Sequence, residues 1–413
     1  MTRAMNRPTT ICSCNKSHGR HSCLETAAVD APARSGRSVR CGFVLLIGLI
    51  TVGAGVNAAP APIDTHFADS EVLIALPDAA LTTGDLPSNP EQLADRVRQQ
   101  IDEARATGDP RFYGYATRAL QQWQGPMTDR LLVLRATVQQ SLHNFDNARR
   151  DLSTVISRAA NARQTAQAIL LLANLETVQG NYGRARQHCE DLQNRMPGLI
   201  AASCLAQVDA RTGNAPGAYR ALAGYMVTVP SDRTSQLWAE GTLGEIAAQL
   251  GMPEAVEHWQ NVLEADPDDL YTRAQLVDWL IRQQQFDRAL ALTSNYEQVD
   301  ALAVLRAIAM RQSGHPEADD LTASLDERFA EARWRGNLLH ARDIARFELD
   351  VKGNAQAAVS LALDNWQEQR EPADTRLLLR AAEAAGSPSS ARLARAWLAK
   401  QHQADVRYPE EQP

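Results

Sequence analysis

The chain has 413 residues, 44% of them hydrophobic, which is ample for a sizeable core. Its net charge of −7 is divided unevenly: residues 1–58 carry +5 and the remainder −12, so the body lacks the basic stripe that a nucleic-acid groove requires. Lysine is confined to Lys16, Lys352 and Lys400, and nearly every other positive charge is an arginine.

The first predicted element is an export segment. Arg34, Arg37 and Arg40 precede an apolar run from Phe43 to Val52, and small residues follow through Ala59. This is the basic, apolar and small-residue order of a secretory signal, with cleavage expected after Ala58. If the 43–59 segment stays attached, it becomes an inner-membrane anchor with the same orientation, because the arginines remain inside. Either way the body is expected in the periplasm, and contact with a membrane is expected only in the anchored form. Cys12, Cys14, His18, His21 and Cys23 have ligand-type side chains, but they lie in a polar leader ahead of the signal, and no metal site is read there.

Residues 59–90 read as a linker, broken by Pro60, Pro62, Pro77, Pro87 and Pro90, with one apolar run, Val72–Leu76, inside it. The helical pattern begins at Gln92. Leu93, Val97, Ile101 and Ala104 form a stripe at helical spacing, Gly108-Asp109-Pro110 makes a turn, and Tyr113, Ala116, Leu120 and Trp123 continue on a second helix.

From residue 143 a cassette recurs. It runs His143-Asn144-Phe145-Asp146-Asn147-Ala148, then Gly180-Asn181-Tyr182-Gly183-Arg184-Ala185, then Gly213-Asn214-Ala215-Pro216-Gly217-Ala218. Looser copies end at Ala255, Ala289, Ala318, Ala358 and Ala391, so Ala148 to Ala391 spans 243 residues at a period of about 35. Each unit predicts a helix with a small residue near its middle (Ala136, Ala173, Ala206, Gly244), a turn, and a second helix opening near the cassette alanine. Small side chains let paired helices approach closely. Gly or Asn at the turn tolerates left-handed backbone angles, and Pro216, Pro253 and Pro316 suit a first helical turn. The unit after Ala289 is short and the one after Ala318 long, which leaves the register open from 290 to 360.

This pattern resembles the tetratricopeptide repeat, as found in exported bacterial proteins of that kind. The best unit carries Leu171-Leu172-Ala173-Asn174, Gly180-Asn181-Tyr182, Ala185 and Pro197, and Leu243-Gly244, Ala255, Trp259 and Pro267 make another. The resemblance implies an all-α solenoid of about eight to nine hairpins over residues 91–400, wound as a right-handed superhelix, with a polar tail at 401–413. It also implies that first helices line a concave groove for a peptide or partner protein. Asn174 stands where one version of the family clamps a terminal carboxylate, but Leu170 replaces the expected lysine. Trp238, Trp279 and Trp334 are expected on first helices. Asn174, Arg211, Trp238, Trp279 and Arg282 are the expected groove residues, with Arg130 and Arg311 as further scattered charge.

Chemistry beyond binding finds no support. There is no phosphate loop, no Gly-x-Ser-x-Gly elbow and no His-Glu-x-x-His, and the histidines are scattered. Asp268 or Asp269 is expected to cap a helix. No cofactor is expected, and an enzymatic role is not. Cys189 and Cys204 occupy core positions on either side of the Pro197 turn; they read either as buried small hydrophobes or, in an oxidising compartment, as a disulfide. The functional expectation is an exported interaction scaffold. A membrane-anchored assembly factor, or an enzyme subunit holding a glycan or lipid, is the alternative.

Overall fold

Each alanine cassette marks the bend of a helical hairpin. One residue at each bend takes positive φ: His143, Gly180, Gly213, Gly251, Gln284, Gly314, Gly353 and Gly386, with Gly108 doing the same in the first hairpin. A left-handed residue reverses the chain while satisfying the last carbonyls of the preceding helix. Two of these positions, His143 and Gln284, are not glycine and carry the strain that a Cβ imposes there.

The computed structural model describes residue 87 and residues 89–334 and 341–410. The leader and export segment expected over 1–58, nearly all of the 59–90 linker with Val72–Leu76, and the Cys12 to Cys23 group lie outside those residues. The described helices belong to one unit, Leu76–Pro413.

Among the described residues nine hairpins follow in chain order. The first four are α1 (Pro90–Thr107) with α2 (Arg111–Gln122), α3 (Asp129–Ser141) with α4 (Phe145–Arg158), α5 (Ala162–Val178) with α6 (Tyr182–Arg195), and α7 (Leu199–Asp209) with α8 (Ala215–Thr228). Then come α9 (Arg233–Leu250) with α10 (Glu254–Ala265), α11 (Leu270–Arg282) with α12 (Phe286–Thr293), and α13 (Asp300–Ser313) with α14 (Ala318–Trp334). The last two are α15 (Ala341–Asp350) with α16 (Ala355–Glu368) and α17 (Pro372–Ala384) with α18 (Pro388–Gln401). The open register after 290 resolves into an eight-residue α12 and a 17-residue α14. Asp269 caps α11, its carboxylate accepting from the Thr272 amide at 2.9 Å. Among the described residues every regular element is helical, and the architecture is an all-α, tetratricopeptide-like solenoid.

Packing explains the small residues. Ala136, Ala173 and Ala206 are buried on first helices, opposite buried Ala148, Ala185 and Ala218 on second helices, and Ala255, Ala289, Ala318 and Ala358 are buried in later units. Ala391 keeps the same place relative to its bend but is only partly buried, since among the described residues no hairpin packs beyond α18. Gly244 shows the steric rule most directly. A Cβ there would lie 2.6 Å from the indole Nε1 of Trp259, so the smallest residue on α9 faces the largest on α10.

Successive first helices touch along the whole array, from α1 on α3 through to α15 on α17. They therefore form the inner layer of a curved stack. The two cysteine sulfurs, Cys189 on α6 and Cys204 on α7, are bonded, with Cα atoms 5.5 Å apart, and tie the third hairpin to the fourth.

The coil returns on itself. The bend at Gly108 lies against Leu270 and Val299 of the sixth and seventh hairpins. The ninth hairpin and the connection that leads into it reach back further. The Gln369 amide nitrogen lies 3.1 Å from the His143 ring, Arg370 donates its backbone N–H to Val178 O at 2.7 Å, and Trp397 meets Tyr182 with ring centroids 5.7 Å apart.

Candidate functional site

The inner layer sets out polar side chains at helical spacing. On α11, Tyr271, Gln275, Asp278 and Arg282 follow one another at intervals of four, three and four along one face; on α9, Trp238, Glu245 and Gln249 do the same at seven and four. Arg211 extends the line from the end of α7, held in the π-type turn Ala210–Asn214. Tyr271 donates its hydroxyl to Glu245 Oε1 at 2.8 Å, and Arg211 Nη2 donates to Glu245 Oε2 at 3.3 Å.

A small cavity of about 30 Å³, enough for water, lies between Gln207, Arg211, Gln249, Gln275, Glu371 and Arg407. Arg211 is buried at its edge, and its Nη1 has no hydrogen-bond partner. Burial opposes its charge, but the carboxylates of Glu245 and Glu371 outweigh that and keep the guanidinium positive. Burial lifts the Tyr182 hydroxyl to a pKa of about 12, so it stays a neutral hydrogen-bond donor.

Behind this cavity an arginine–carboxylate lattice locks α11, α15 and α17 together. Asp278 pairs with Arg376 and Arg346, each at 2.5 Å. Arg346 and Arg380 share Asp350, at 3.2 and 2.6 Å. Arg342 bridges Glu371 and Asp374, both at 2.5 Å. Burial would push the Asp278 carboxyl up, but Arg346 and Arg376 hold it far below the ordinary carboxylate range.

The chain end completes the site. After α18, Gln403 and Asp405 are buried while His402, Ala404 and Val406 are exposed; His402 caps the helix in left-handed backbone, and the chain turns again after Asp405, whose carbonyl accepts from Tyr408 N at 3.0 Å. Gln249 reads its backbone twice: its side-chain amide donates to Ala404 O at 2.7 Å, and its own carbonyl accepts from Val406 N at 3.1 Å. Tyr182 donates to Gln403 Oε1 at 3.1 Å, and Gln403 donates to the Tyr408 hydroxyl at 2.8 Å. Asp405 accepts from Arg407 at 2.6 and 2.8 Å. The described part of the polar tail is thus seated against the array.

The expected groove residues separate. Arg211 joins the site but is buried. Trp238 stands on the inner face of α9, 41% exposed, and Tyr271 on α11 is 48% exposed. Trp279 is not a groove residue: it is buried and packs edge-on against Trp259, ring centroids 6.3 Å apart, because its position on α11 faces the neighbouring hairpin. Arg282 ends α11 on the exposed side, and Asn174 is half-buried on α5. Trp334 lies at the end of a second helix, α14, since the short α12 shifts the pattern after it. Arg130 and Arg311 are tied to neighbouring carboxylates, Arg130 to Glu91 and Asp95 and Arg311 to Asp319.

Gln249, Tyr271, Asp278 and Glu371 went unread in the sequence. The polar stripe on α11 was the available signal, since it interrupts an otherwise apolar helix. One further cluster lies away from the inner layer, where His258 Nδ1 is 2.6 Å from Glu240 and its Nε2 is 2.9 Å from the Tyr219 hydroxyl, joining α8, α9 and α10. Among the described residues no group of three or more His, Cys, Asp or Glu is placed to hold a metal, and no helix is long and apolar enough to cross a membrane.

No family model matches this chain, and no curated protein matches it in sequence. Among solved structures it is similar to a Rap protein complexed with Competence and Sporulation Factor, at 13% identity over 75% of this chain and 99% of that one, with a TM-score of 0.44. It is also similar to the TPR domain of P58(IPK), at 14% identity over 72% of this chain and 94% of that one, with a TM-score of 0.18.

Proposed function

We propose that this chain is an interaction scaffold that binds an extended peptide, or a segment of a partner protein, on the inner face of α7, α9 and α11. One observation carries the reading: that face already holds the backbone of another segment, Ala404 and Val406, through Gln249, while Trp238 on α9 and Tyr271 on α11 stand exposed. Exposed aromatics flanking a backbone-reading amide supply the two parts of peptide recognition, anchoring area and register. The arginines behind the face are paired with carboxylates, so the site reads shape and hydrogen bonds rather than bulk charge.

A photo-crosslinking residue at position 238 tests this. It is expected to capture one partner, and the capture is expected to fall at least tenfold when Tyr271→Ala is added. The same group at Val227, exposed on α8, is the control. Equal capture at 227 and 238 would refute the site.

The apolar 43–59 segment supports export of the scaffold to the periplasm. N-terminal sequencing of the exported protein is expected to start at Ala59. An intact N-terminus in the membrane fraction would favour the anchored assembly factor instead.

A further inference from the structure

We propose that the outer layer carries a second docking surface, the groove between α10 and α12. Its occupant is a basic segment of a partner protein in which an aliphatic residue stands beside arginine or lysine. This surface is separate from the inner face and does not rest on the reading given to it.

The groove follows from one short helix. The second helices α4, α6, α8, α16 and α18 each run 14 residues, whereas α12 stops after eight, at Thr293. The helix that is missing leaves α11 uncovered beside α10. An open groove of about 650 Å³ lies there, a size that accepts a ligand. Its floor is apolar: Leu263 from α10, Leu276 from α11 and Leu292 from α12. An aliphatic side chain set on that floor takes the place of the absent turn.

The rim decides the charge of the partner. α10 carries three glutamates and no lysine or arginine. Glu254, Glu257 and Glu264 are exposed and, among the described residues, form no ion pair. Glu257 and Glu264, seven positions apart, stand on one wall of the groove about two turns from each other. The basic groups around them are engaged elsewhere. His258 is held between Glu240 and Tyr219, and Arg288 donates to Gln285 Oε1 at 2.6 Å. Arg273 donates to the carbonyls of Pro267 and Leu292, at 2.5 and 3.2 Å, and lies against the Tyr296 ring. The glutamates are therefore the unanswered charge at this surface.

Arg273 supplies an independent sign of a ligand. It lines the groove at 9% exposure, and its Nε has no acceptor. A buried donor without a partner is costly, and a carbonyl of an incoming backbone satisfies it. Backbone at Arg273, an aliphatic side chain on the leucine floor and a cation at Glu257 and Glu264 together describe one short basic segment.

The test uses the full chain. The probe is a short fluorescein-labelled peptide alternating arginine and leucine, and the control peptide alternates arginine and alanine. The wild type is expected to bind the probe at least tenfold more tightly than the control. Two variants are each expected to weaken probe binding at least tenfold: Glu257→Gln with Glu264→Gln, which removes the charge, and Ala291→Trp, which fills the groove from α12. Asp102→Asn with Glu103→Gln removes the same charge from α1 and is expected to leave binding unchanged. All five substituted residues are exposed, so the fold does not depend on them. Full binding by Ala291→Trp, or an equal loss in the α1 variant, would reduce the effect to the net charge of the body and overturn the proposal. No binding by the wild type, or equal affinity for probe and control, would overturn it too. A doubling of mass with concentration that Ala291→Trp abolishes would put a second copy of this chain in the groove instead.

Discussion

Gln284 holds left-handed backbone at a bend where six of the other cassettes use glycine. A Cβ in that region costs about 1–2 kcal/mol, part of which glycine gives back through its freer unfolded chain. Gln284→Gly is therefore expected to stabilise the protein by about 0.5–1 kcal/mol, read as a raised urea midpoint with unchanged slope. Gly244→Ala works in the opposite direction. Its methyl meets the Trp259 indole, and the overpacking is expected to cost about 1–3 kcal/mol, with Trp259→Leu in the same chain restoring most of it. Asp278 is the most consequential single residue. Replacing it with Asn leaves the Arg376 guanidinium buried without its counter-charge and Arg346 with Asp350 alone, an expected loss of about 3–5 kcal/mol at neutral pH. Because its folded pKa is depressed, the Asp278 contribution is complete above the unfolded value of about 3.9 and fades as pH falls toward the folded one. Urea midpoints of the wild type and Asp278→Asn are thus expected to differ most at pH 5–7 and to converge below about pH 4.

The helical hairpin was legible in the sequence because its determinants are local. A bend residue, a small residue on each helix and an apolar stripe all fall within one unit, and the alanines from 148 to 358 are buried as that logic requires. Where the pattern slipped, length was responsible: α12 is one turn shorter than its siblings, which displaced Trp334 from a first helix to a second. The Cys189–Cys204 bond acts at the same scale, closing a 15-residue separation between α6 and α7. In the chain-entropy account such a loop contributes about 3 kcal/mol. Cys189→Ala with Cys204→Ala is expected to lower the unfolding midpoint correspondingly, and reductant to affect the wild type but not that variant.

The site was much less legible, because it depends on how far the stack rotates. Nothing near Asp278 announces Arg376, 98 residues away, and nothing near His143 announces Gln369, 226 residues away. Those meetings follow from the accumulated angle of several hairpins, each set by side-chain volumes too subtle to read from a repeat. Trp279 was misplaced for the same reason, since the face it presents depends on the neighbour it meets. An open solenoid unfolds piecemeal, each unit held only by its neighbours. Here the ninth hairpin, with the connection before it and the segment after it, grips the second through sixth, so calorimetric and van't Hoff enthalpies are expected to agree within about 10%, as for a single cooperative transition.

The grip of the ninth hairpin and its lead-in on earlier units also fixes how many units this array holds. Stacked arrays commonly gain or lose a module, because each added piece finds the same surface to sit on. A belt already buckled has no such freedom. One module more between Gly213 and Gln284 would carry Val406 past Gln249, and one fewer would leave it short, so this protein is cut to a single size.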